Sequence, residues 1–143
     1  MKSFDTVHAV WEYYDGPRTG IADFQGKPHY FSCDWEESEN DHDHVFAISP
    51  ISEQFLRLAL EQQVIWRKWE LAFHSGHCSA DTHPGLGGRD PRYDELQQLI
   101  NDHIHALPIT KTHLRGNFQP TSIDTQLPPG VIQPLKVSWS GAV

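Results

Sequence analysis

The sequence predicts an α+β fold: an antiparallel β-meander of about four to six strands, counting a C-terminal one, packed by one long and one shorter helix. Three observations predict it. Apolar residues alternate at period two before Ser49, recur at helical spacing after it, and alternate again at Leu135, Val137 and Trp139. Helices are segregated after the strands, which argues against a doubly wound parallel sheet. A chain of 143 residues is long enough to bury one core without a staple, so residues 1–143 are expected to form a single domain.

The first strand places Val7, Ala9, Trp11 and Tyr13 on one apolar face. Asp15-Gly16-Pro17-Arg18 makes the turn to a second strand over about Thr19–Phe24. Gln25-Gly26-Lys27-Pro28 reads as a tight hairpin with Gly26 at positive φ, returning through His29–Trp35 with Phe31, Cys33 and Trp35 alternating. Val45–Ile48 is a short fourth strand. Ser49-Pro50 and Ser52-Glu53 then supply a cap and a first turn for a long amphipathic helix over Glu53–His74, stopped at Gly76. After a glycine-rich loop, Asp90-Pro91 opens a second helix that ends at Pro108. Thr112–Phe118 is a further strand, Pro120–Pro134 an ordered wrap, and Leu135–Trp139 a strand returning to the sheet. The expected core comprises Val7, Trp11, Phe31, Phe46, Phe55, Leu58, Trp66, Trp69, Leu96, Leu99, Ile100 and Val137.

Charge narrows the partners. The formal net charge is −8, and Asp34, Glu36, Glu37, Glu39, Asp41 and Asp43 place six acids in ten residues with no Lys or Arg among them. Nucleic acid and anionic membranes are excluded as expected partners, because both need clustered cations. The run stays ionised in a wet connection. It is suited to attracting a basic protein rather than to acid–base catalysis, which needs a displaced pKa. Tyr14 and Tyr30, pointing away from the apolar strand face, are the aromatics expected beside it. Two cysteines, Cys33 and Cys78, without an apolar N-terminal segment predict a cytoplasmic protein with free thiols.

Ten histidines raise metal binding as a second reading. His74, His77, Cys78 and His83 combine imidazole and thiolate, the ligand types zinc takes, where a helix gives way to a loop. Their spacing is not that of paired zinc ligands, nor of a metalloprotease helix. The plainer reading is a helix terminus at which histidine is favoured by the dipole. In Asp41-His42-Asp43-His44 an extended backbone would put His42 and His44 on one face, although the run lacks the glycine and closing glutamate of a calcium loop. Cys78 beside His77 holds the residue types of a thiol–imidazole pair. Gly85-Leu86-Gly87-Gly88-Arg89 precedes a helix but lacks the lysine of a phosphate loop, and Asp90 stands where an anion would sit.

Two functions are therefore expected. The first is a non-enzymatic protein-interaction module using the acidic loop against a basic partner. The second is a zinc-type metal protein, hydrolytic in its strongest form. No motif specifies a reaction.

Overall fold

In the computed structural model, residues 3–13, 16–34, 44–121, 126–128 and 130–141 are described. They form six strands and two helices: β1 (Asp5–Tyr13), β2 (Pro17–Phe24), β3 (Lys27–Cys33), β4 (His44–Pro50), α1 (Glu53–His74), α2 (Pro91–His105), β5 (Thr112–Pro120) and β6 (Leu135–Gly141). The chain divides into two compact units. One holds all six strands; the other holds residues 53–106 together with 122–133.

The strand unit corrects the expected open meander. Its strands are antiparallel in sequential order, and the last pairs with the first, so the sheet closes into a six-stranded barrel. Closure is made by Asp5 opposite Val137 and Thr6 opposite Lys136. Period-two alternation specifies which side chains share a face. It does not specify whether the two outer strands meet, which depends on curvature. Three register shifts in β1, between Val7 and Ala9, Val10 and Glu12, and Glu12 and Tyr13, bend that strand. They also break the expected face. Ala9 is buried, Val7 and Trp11 are half-buried, and Tyr13 is 51% exposed.

The barrel core is aromatic. Phe31, Phe46, Phe118 and Trp139 stand with ring centroids 5.2–6.1 Å apart, edge-on or tilted, the arrangement in which ring quadrupoles attract. Ala22, Cys33, Ile48 and Val137 complete it, with Val7, Phe24 and Leu114 packed against them. Two strand glycines make room. A Cβ on Gly116 would lie 2.8 Å from the Trp139 ring, and one on Gly20 would lie 2.7 Å from the Phe31 ring. The Trp139 indole N–H donates to the Asp23 carbonyl at 2.9 Å, so its one polar atom is satisfied inside this packing.

The helical unit follows the predicted bounds closely. α1 runs Glu53–His74 and ends in a Schellman turn: Gly76 sits at φ +78°, its N–H reaches Phe73 O at 3.0 Å, and the His77 N–H reaches Ala72 O at 2.8 Å. The α2 N-cap is the Asp90 carboxylate, accepting from the Tyr93 N–H at 3.0 Å. Helix pairing is partly polar. The buried Gln62 amide donates to Gln97 at 2.9 Å, and Gln97 donates on to Asn101 at 2.9 Å. On the outside Arg92 grips Glu61 through two nitrogens and also bonds Glu95. Those contacts hold the Glu61 carboxyl below its ordinary pKa and keep Arg92 protonated.

Of the expected core, Phe31, Phe46, Phe55, Leu96, Ile100 and Val137 are buried. Leu58, Trp66 and Trp69 are half-buried, and Leu99 is 38% exposed. The buried stripe of α1 is instead Phe55, Ala59, Gln62 and Glu70, two of them polar.

Candidate functional site

The acidic connection joins two neighbouring strands. β3 and β4 are antiparallel with Cys33 opposite Phe46, and the Asp34 N–H donates to Val45 O at 2.8 Å. Asp34 and His44 thus stand at one end of the barrel. Register places the β1–β2 turn at that same end, because Tyr13 lies opposite Pro17 and Thr19 lies opposite Ser32. Asp34 faces His113 of β5 at 3.6 Å. Glu36, Glu37, Glu39, Asp41, Asp43, Tyr14 and His42 lie outside the described residues. Tyr30 is half-buried against Trp11, with centroids 6.1 Å apart; burial, and then the Glu12 charge, push its hydroxyl pKa up. An exposed aromatic among the described residues at this end is Tyr13, which the alternation placed on the apolar strand face. The signal that would have freed it is the β1 register shift, and no residue type in the sequence marks that shift.

Beneath this end Arg18 is 3% exposed, with Nη1 3.9 Å from the Cys33 Sγ. The sequence reading treated Arg18 only as part of a turn. It is the second residue of β2 and alternates with Gly20 and Ala22 toward the core.

The sequence expectation joined His74, His77, Cys78 and His83 in one zinc-type group. Among the described residues no three His, Cys, Asp or Glu side chains converge to hold a metal ion. Each ring has a separate neighbour. The His74 ring lies against Gly130, where a Cβ would come within 2.7 Å, and packs edge-on to Phe73. His77 is exposed in the turn. The His83 ring covers Trp69 with centroids 4.4 Å apart, and its Nδ1 accepts the Gly85 N–H at 2.9 Å. Cys78 is a half-buried free thiol.

The glycine-rich loop is likewise committed to itself. The Gly88 N–H donates to Asp94 at 2.8 Å, and the Arg89 guanidinium reaches the carbonyls of Asp81 and Gly87 at 2.9 and 3.0 Å. The Trp69 indole donates to Thr82 Oγ1 at 2.9 Å. Polar bonds therefore organise a segment whose composition reads as a flexible turn.

Two arrangements were not read from the sequence. His8 Nε2 meets Asp23 Oδ1 at 2.9 Å across β1 and β2, beside Asp5, whose carboxyl is raised by burial and then by the Asp23 charge. In the helical unit Glu70 is 2% exposed. Its Oε1 lies 2.5 Å from Arg67 Nη1, its Oε2 accepts the Ile132 N–H at 3.2 Å, and the same Arg67 nitrogen donates to Ile132 O at 2.9 Å. The backbone of Ile132 is thereby held at both its N–H and its C=O. Burial pushes the Glu70 carboxyl pKa up, against the pull of the Ile132 N–H, Arg67 and His74. The helical reading gave position 70 no role; a partner 62 positions later, the Ile132 N–H, accounts for the buried carboxylate.

No helix among the described residues is long and apolar enough to cross a membrane. The chain matches no protein-family model, no curated protein and no solved structure.

Proposed function

We propose that the chain is a non-enzymatic interaction module that offers an acidic surface to a basic protein partner. The supporting observation is topological. Two adjacent strands deliver both roots of the acidic connection, Asp34 and His44, to one barrel end, and the sequence supplies six carboxylates between Asp34 and Asp43. Like charges held on one short tether raise the local potential and speed encounter with a cation-rich surface. Tyr13, exposed at that same end, adds an aromatic contact of the kind interfaces favour.

The test is fluorescence anisotropy with a labelled lysine-rich peptide, between about 50 and 300 mM salt, across which screening tightens. Binding should weaken steeply with salt. A variant carrying Glu36→Gln, Glu37→Gln, Glu39→Gln and Asp41→Asn should lose about tenfold or more in affinity, equivalent to about 1.4 kcal/mol. A control carrying Glu53→Gln, Asp81→Asn, Glu95→Gln and Asp102→Asn has the same net charge, −8 + 4 = −4, and should bind nearly as the parent does. Equal losses in the two variants, or affinity indifferent to salt, would overturn the proposal.

A further inference from the structure

α1 carries a second apolar stripe besides the buried one of Phe55, Ala59, Gln62 and Glu70. At about 100° per residue, Leu56, Leu60, Val64 and Leu71 fall within about 80° of arc on another side of the helix. That side is open: Leu60 is 40% exposed and Val64 69%, with Leu56 and Leu71 half-buried. Glu53 and Arg67 lie on the same arc, one to each side of Leu60 along the axis. Glu53 bonds to Arg57, and both are exposed. The bonds of Arg67 to Glu70 and Ile132 both run through Nη1, and its side chain is 37% exposed. We propose that this face docks a second copy of the chain, α1 antiparallel to α1, about a two-fold axis at Leu60. The proposal uses no part of the acidic connection.

The face is complementary to itself. In a two-fold pair, residue i of one copy meets residue j of the other, and j meets i. About Leu60 of α1, Leu60 meets Leu60, Leu56 stands level with Val64, and Glu53 stands level with Arg67. Apolar residues meet apolar ones at the centre, and opposite charges meet at both ends. Arg57 falls level with Gln63 and Lys68 level with Ser52, so no like charges are opposed. Another register fails on charge. An axis at Gln62 would still bring Leu60 level with Val64, but it would set Arg57 against Arg67. Juxtaposed like charges suppress a pairing, so the charges select the register centred on Leu60. The seam is short, since Glu53 and Arg67 are about 21 Å apart along the helix axis. A single helix pair of that length buries less than about 1,200 Å², the range of weak encounters. A dissociation constant on the order of 100 µM is expected.

Sedimentation velocity of the full chain between about 10 µM and 1 mM reads this equilibrium, and amide NMR shifts over the same dilution series locate it. The sedimentation coefficient should rise with concentration, and the shifts should concentrate in α1. Val64→Glu sets a carboxylate beside Leu56 of the other copy and should weaken association tenfold or more. The position is 69% exposed, so the fold accepts the change, which an unaltered thermal midpoint verifies. Glu53→Arg opposes like charges at both ends of the seam and should weaken association severalfold. Lys68→Gln, level with Ser52, should leave it nearly unchanged. A monomer at every concentration, shifts that map outside α1, or association indifferent to both Val64→Glu and Glu53→Arg would overturn the proposal. So would α1 shifts that arise only when phosphatidylserine vesicles are added, which would make a lipid surface the occupant.

Discussion

Gly116 sits opposite Trp139 in the β5–β6 ladder, and a methyl group added there would meet rings of Trp139, Phe118 and Phe46 at 2.8–3.1 Å. All three belong to one packed cluster, so no single ring can turn aside without disturbing the others. Gly116→Ala should therefore destabilise by about 1–3 kcal/mol, the usual cost of overpacking, read as a shift in the denaturation midpoint. The opposite sign is expected at Ser49. Its side chain is buried, with 2% of the residue exposed, and its hydroxyl has no hydrogen-bond partner among the described residues. Ser49→Ala removes a desolvated polar group and should raise stability by up to about 1 kcal/mol. At this scale the sequence was a partial guide. Phe31, Phe46 and Val137 were legible as core because large apolar residues alternate there. Gly116 was not, since a glycine inside a strand pattern says that something comes close without saying what.

At the scale of the element, α1 and α2 were nearly fully legible, because their boundaries are set by local chemistry: Gly76 at the end of one, Asp90-Pro91 at the start of the other. Asp90→Ala should cost about 1 kcal/mol and lower the helical signal on heating, since it removes the acceptor of the Tyr93 N–H. What each helix buries was less legible. Gln62 and Glu70 occupy the inward stripe that Trp66 and Trp69 were expected to fill. A glutamine is acceptable there because Gln97 lies 35 residues away to receive it, and a glutamate because Ile132 lies 62 residues away. Periodicity sees neighbours four positions along; it cannot see partners that distant. The histidines illustrate the converse. Their closeness in sequence suggested one centre, yet His74 packs on Gly130 from the end of α1, and His83, beyond the left-handed turn at Gly76, packs on Trp69.

For the molecule as a whole, stability should carry a signature of the buried glutamate. The folded pKa of Glu70 lies above its ordinary value of 4.5, so the native state binds this proton more readily than the unfolded chain does. Its contribution is fully present below the ordinary value and is lost as pH rises through the folded one. Exposed carboxylates such as Glu61, whose pKa is lowered by Arg92, work in the other direction. The observable is a carboxyl-carbon NMR titration of the folded protein, in which Glu70 should titrate above its ordinary value. Charge balance and the order of elements were legible at this scale, whereas closure was not, because it depends on bends in β1 that leave no mark on composition.

Pairing of Asp5 with Val137 and Thr6 with Lys136 has one more result. A sheet with outer strands can recruit a foreign segment by lending it a row of unsatisfied amides and carbonyls. Here the two rims meet where Asp5 and Thr6 pair with Val137 and Lys136, so along that stretch a visiting chain finds no ladder to extend. At that seam the backbone amides and carbonyls are turned to each other, which leaves side chains and connecting segments as the recognisable surface there.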